Sequence, residues 1–185
     1  MFKKTSITFG IVLLASVTVA HAAGFKLSSP TIKPNSKLTS KQVFNGFGCS
    51  GENLSPALAW SGAPKGTKSF AVTVYDPDAP TGSGWWHWVV YNIPASVTSL
   101  PEAAGDAAGS KLPEGAVQGR TDYGAPGFGG ACPPKGDKPH RYIFTVYALK
   151  VDKLELPKEA SPAMIGFMLK SNQLGSASFT AKYGR

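Results

Sequence analysis

The sequence predicts a mainly β protein, an antiparallel β-sandwich with one or a few short peripheral helices. Three observations carry this reading. Apolar residues alternate over several short runs, with the two-residue period of a strand. Long loops separate those runs, and 21 glycines and 15 prolines in 185 residues supply their turn chemistry. Only the segment after Ser161 carries a clear helix start. The length suits one domain with an ample core.

In chain order, Lys3 and Lys4 precede an apolar run over residues 7–20, and Ala20-His21-Ala22 has the small-x-small pattern of a signal-peptidase site. The run is short for a membrane span. Residues 1–22 are therefore expected to be a cleaved secretory signal and residues 23–185 a single domain, periplasmic or secreted, with no transmembrane segment. Phe25 and Leu27 alternate in a stretch rich in Ser, Pro and Lys, which suits an edge strand. Gly46, Gly48 and Gly51 make a winding loop in which Asn53 and Ser55 are expected to act as hydrogen-bonding scaffold. Leu58 and Trp60 then share one strand face.

Over residues 69–75, Phe70, Val72 and Val74 alternate with Ala71, Thr73 and Tyr75, a strand that ends in DPDAP (76–80). Two carboxylates flanking a proline are either a turn device or half of a polar site. Residues 88–91 of GWWHWVVYNIP read as a central strand buried on both faces, and strict alternation pairs Trp86 with Trp88 and Trp85 with His87. Residues 96–119 lack a period and are expected to be a surface excursion. GGACPPKGDKPHRYIFTVYAL (129–149) joins a glycine pair, a cysteine, a Pro-Pro corner and His140 to a strand whose two faces both read as buried. A loop fixed by glycine and proline can aim N–H groups at an anion. Leu154 and Leu156 suggest a short strand. Ser161 and Pro162 suit N-cap and first helical position, with Met164, Phe167 and Met168 as the expected core face of a helix ending near Gly175. A last strand is expected over residues 177–183.

Without Lys3 and Lys4 the basic count falls from 19 to 17 against 11 acidic residues, a net charge of +6. That balance favours anionic partners, but the basic residues are scattered and form no nucleic-acid footprint. The two cysteines, Cys49 and Cys132, would enter an oxidising compartment, which favours a disulfide. The alternative is a Cys-His nucleophile pair, which needs a free thiolate. Two His and two Asp lack HExxH or comparable spacing, so no metal is expected. No serine occupies an elbow motif and no acid–base pair has a visible nucleophile, so no catalytic residue and no enzyme activity are expected.

DPDAP (76–80), WWHW (85–88) and CPPKGDKPHRY (132–142), in that order, resemble the phosphatidylethanolamine-binding protein (PEBP) family, as does the N-x-S-P-x-L-x-W pattern of residues 53–60. The chain looks most like the family's exported bacterial Raf-kinase-inhibitor-like branch, known as YbhB/YbcL. The resemblance implies a β-sandwich with a preformed anion pocket for phosphate or a phosphoryl head group, and no cofactor. Carried over, the pocket would comprise Asp76, Asp78, Trp85, His87, Gly130, Pro133, His140 and Tyr142. Histidine N–H groups, the Tyr142 hydroxyl and loop N–H groups could donate to the ligand, while Asp76 would orient a histidine or meet an ammonium. Two departures bear on the loop: Ala131 stands where many relatives have proline, and Thr121 where they have asparagine, removing an amide that could brace it. The resemblance implies a non-catalytic binding protein for a phosphorylated or other anionic small ligand, with a homodimer and modulation of a partner protein as further expectations. The alternative is a protease or kinase-type inhibitor, or a host-interaction protein, acting through the pocket rim; a hydrolase ranks third.

Overall fold

The computed structural model describes residues 24–185, so the expected signal segment lies outside the described residues. The elements are β1 (Lys26–Ser28), a 3-10 turn (Ser40–Gln42), β2 (Asn45–Gly46), β3 (Cys49–Ser50), β4 (Leu58–Ser61), β5 (Ser69–Asp76), β6 (Trp85–Pro94), β7 (Ser99–Leu100), β8 (Val117–Gln118), β9 (His140–Leu149), α1 (Pro162–Asn172) and β10 (Gln173–Tyr183). The large sheet is antiparallel throughout, in the order β10-β9-β5-β6-β8. A smaller sheet, β1-β4-β7, and the β2-β3 ribbon complete the β structure among the described residues.

Strand periodicity builds the core. Phe70, Val72 and Val74 on β5 join Trp88 and Val90 on β6 and Tyr142, Phe144 and Val146 on β9 on the inner face, where Leu58, Trp60 and Leu100 of the small sheet meet them. On the outer face, Ala71, Val89, Tyr91 and Leu149 pack under Ile165 and Leu169 of α1 and under Leu154. The mainly β sandwich expected from the sequence is the observed architecture, with one helix closing its outer face.

Five local expectations are corrected. Trp86 and Trp88 lie on opposite faces, because the pairing slips between Val74↔Trp88 and Tyr75↔Trp86 and leaves His87 as the extra residue of a bulge. Trp86 therefore turns to the helix side, against Tyr75, while His87 joins Trp88 on the inner side. On α1 the buried residues are Ile165 and Leu169, whereas Met164 and Phe167 are exposed. Leu154 is held in a loop by Asn92, whose side chain meets both its N–H and its C=O, so no strand forms there. The stretch over residues 96–119 contains β7 and β8 and buries Leu100 and Ala104. Finally, β9 buries its inner face and Leu149, while Ile143, Thr145 and Tyr147 stay half-buried.

Candidate functional site

Three strand ends meet at one end of the inner face. Asp76 continues the inward stripe of Phe70, Val72 and Val74 to the last residue of β5, Trp85 and His87 open β6, and His140 and Tyr142 open β9. With Pro133 these side chains line one cavity of about 230 Å³. Its wall also contains Phe47, Tyr123 and Pro134, which strand periodicity does not reveal because all three stand in loops. An aromatic residue flanked by glycines, as Phe47 is, was the available cue. Asp76, His87, His140 and Tyr142 are buried.

The polar groups in this cavity fall into two sets. His140 donates from Nδ1 to Asp76 Oδ2 at 2.8 Å, and its Nε2 lies 3.4 Å from Asp137 Oδ2. The other Asp76 oxygen accepts the Asp78 N–H at 2.8 Å. Asp76 thus orients a histidine and caps the DPD turn together. The second set is His87 and Tyr142. His87 donates from Nδ1 to the Gly129 carbonyl at 2.7 Å, which leaves Nε2 buried without a partner. The Tyr142 hydroxyl is also buried and unpartnered. Burial pushes the His87 pKa below the ordinary histidine range, against the opposing pull of the Gly129 carbonyl and of Asp76. Burial, with the Asp76 charge behind it, raises the Tyr142 pKa and keeps its hydroxyl a donor. Tyr123 is raised for the same first reason, and its hydroxyl donates to Gly130 O at 2.7 Å.

Asp78 and Gly130 do not line this cavity. Asp78 turns outward to Arg141, accepting from Nη2 at 2.7 Å, from Nε at 2.9 Å and from the backbone N–H at 2.8 Å. Those bonds lower its pKa to about 2. Gly130 lies behind the wall: a Cβ there would come within 2.5 Å of Gln42 O and 2.6 Å of Phe44 N, so only glycine fits. Nor are the N–H groups of residues 129–131 free for an anion. Gly129 N donates to His87 O, Gly130 N to Asn53 Oδ1 and Ala131 N to Gln42 O, at 2.8, 2.6 and 2.9 Å. The glycine run serves close packing here, and Asn53 is the scaffold expected of it, donating also to Phe128 O. Thr121 braces its loop with its hydroxyl, which donates to Ala125 O at 2.8 Å, so the segment is tied without an amide side chain.

The rim is fixed from several directions. A disulfide joins Cys49 to Cys132 across a sequence separation of 83 residues, tying the β2-β3 ribbon to the loop before β9 and excluding a free thiolate. Arg185 donates to Pro133 O, Gly48 O and Phe47 O, bridging the same two loops. Phe47, held at φ 52°, packs near Phe44 and stacks on Tyr123, yet remains 70% exposed. Among the described residues there is no group of three or more His, Cys, Asp or Glu arranged to hold a metal, and no helix long and apolar enough to cross a membrane.

Comparison with known proteins agrees with this architecture. The chain is 60% identical to the UPF0098 protein YbcL of Escherichia coli K12 over 172 residues, covering 92% of this chain and 94% of that protein. It is 52% identical to YbhB of the same organism over 158 residues, covering 85% and 99%. Among solved structures, E. coli YbcL, described as a new member of the mammalian PEBP family, superposes with a TM-score of 0.86, covering 88% of this chain and 99% of that one. A homologue from Chlamydia trachomatis, described as a putative PEBP, gives 0.72 at 29% identity, covering 88% and 98%. The family model described as phosphatidylethanolamine-binding protein matches residues 28–184, nearly the whole of the described structure, and the chain belongs to that family.

Proposed function

We propose that this protein is a non-catalytic, exported binding protein whose pocket captures phosphate or a phosphoryl head group. The observation that carries the reading is a pair of buried polar atoms without partners, His87 Nε2 and the Tyr142 hydroxyl, on two residues that line one preformed cavity. Leaving a buried polar group unpaired costs about 1–3 kcal/mol, so two in one cavity point to a ligand that completes them. His140, already oriented by Asp76, stands on the same wall. No side chain of the cavity is poised as a nucleophile against a base, which supports binding over turnover. Export is supported by the disulfide and by the leader pattern of residues 1–22.

The test is a thermal-shift titration. Millimolar inorganic phosphate or phosphoethanolamine is expected to raise the Tm of the wild type and to leave His87→Ala and His140→Ala unmoved. No shift in the wild type overturns the reading. A second reading, a protein partner seated on the rim, is favoured by the exposed and rigidly held Phe47. It predicts inhibition of a member of a protease panel by the wild type and its loss in Phe47→Ala; absence of inhibition overturns it.

A further inference from the structure

Apart from its histidines, the cavity offers an anion no side chain that can carry positive charge. Its lining contains no Lys or Arg among the described residues, and its one carboxylate, Asp76, is negative. His140 is already engaged by Asp76 on one side and faces Asp137 on the other. That leaves His87. Its Nδ1–H is committed to the Gly129 carbonyl, so in the neutral ring the free Nε2 presents a lone pair. A lone pair repels a phosphoryl oxygen, whereas the same atom carrying a proton donates to it.

We propose that the pocket acquires its charge on binding: capture of a tetrahedral oxyanion is accompanied by uptake of one proton at His87 Nε2. This inference rests on the anion reading above and specifies how the same site achieves it. The added proton forms an N–H bond at Nε2, comes from solvent and is donated to a ligand oxygen, while the Tyr142 hydroxyl donates to another. The titratable groups facing His87 are Asp76 on β5, Asp122 and Tyr123 on the loop after β8, and His140 and Tyr142 on β9. Asp76 and Asp122 favour the imidazolium, and a bound anion adds to their pull. Burial opposes them and favours the neutral ring. The device makes affinity fall as pH rises.

Sulfate is the decisive probe, because it has no proton of its own to bring near neutral pH. In the wild type, the sulfate Kd is expected to rise as pH rises above about 7, by up to about tenfold per pH unit while the bound ring stays protonated and the free ring does not, as one-proton linkage requires. Calorimetry in two buffers of different ionisation enthalpy should find about one proton taken up per sulfate, a measurement that needs no variant. In His87→Gln the pH slope should vanish. A pH-independent wild-type Kd, a proton count near zero, or a slope retained in His87→Gln, which would assign the proton to His140, each overturns the inference. Phosphate binding with sulfate excluded also overturns it, because the ligand must then supply the proton. Failure of both anions to bind removes the anion reading itself and this inference with it.

Discussion

Asp76 and Asp78 are the same residue two positions apart, and the structure gives them opposite work. Asp76 keeps the inward parity of β5 and meets His140; beyond Pro77 the chain turns, and Asp78 meets Arg141 outside the cavity. Because the folded pKa of Asp78, about 2, lies below its ordinary value of 3.8, its ion pair contributes stability above pH 3.8 that is lost as pH falls through about 2. The pair is partly solvent-exposed, so that contribution is at most about 1 kcal/mol. Asp78→Asn should lower stability by no more than about this amount at pH 6 and flatten its decline between pH 4 and pH 2. Urea denaturation of both proteins at pH 2, 3, 4 and 6 checks it; parallel curves would show that Arg141 contributes nothing through Asp78. At this scale the loaded residues were legible, since DPDAP, WWHW and His140 stand out by type. Which way each one faced was not, because a single bulge at His87 separates Trp86 from Trp88 and brings His87 beside Tyr142.

Helix α1 shows what an element's pattern leaves open. Ser161 caps it as the sequence predicts, its hydroxyl accepting from Met164 N at 3.2 Å. The apolar residues run most of the way round, however, so Met164, Phe167 and Met168 make one stripe and Ile165, Met168 and Leu169 another. The sheet beneath selects the second, placing Ile165 and Leu169 on Ala71, Val89 and Tyr91. Ile165→Ala should therefore cost about 2–5 kcal/mol, as for other buried large-to-small changes. Phe167→Ser, at a position 69% exposed, should stay within about 0.5 kcal/mol. Chemical denaturation of the two variants decides between the stripes, and a reversed order would refute the observed packing. Strands were more legible than the helix: their period of two leaves only two faces to choose between, and both faces of β5 and β6 are covered.

For the molecule as a whole, the Cys49–Cys132 bond is the covalent link between two segments far apart in the chain. Closing a loop of 83 residues restricts the unfolded chain by about 4–5 kcal/mol in the entropy model, and removing native disulfides commonly costs about 2–5 kcal/mol. A Cys49→Ser/Cys132→Ser protein should lose stability in that range, read from its denaturation midpoint against the oxidised wild type. An unchanged midpoint would mean that Arg185 and the backbone pairing of Ala131 with Gln42 and Phe44 already hold the rim. The sequence by itself determined the mainly β class, the family and the strand ends at which chemistry gathers, because alternation and motif order are properties of neighbours along the chain. Only the tertiary structure decided that Asp78 and Gly130 stand outside the cavity, that Phe47 and Tyr123 stand at it, and that His87 Nε2 and the Tyr142 hydroxyl are left without partners. Those outcomes depend on bulges, loop crossings and hydrogen bonds between segments tens of residues apart, and no local period encodes where such segments meet.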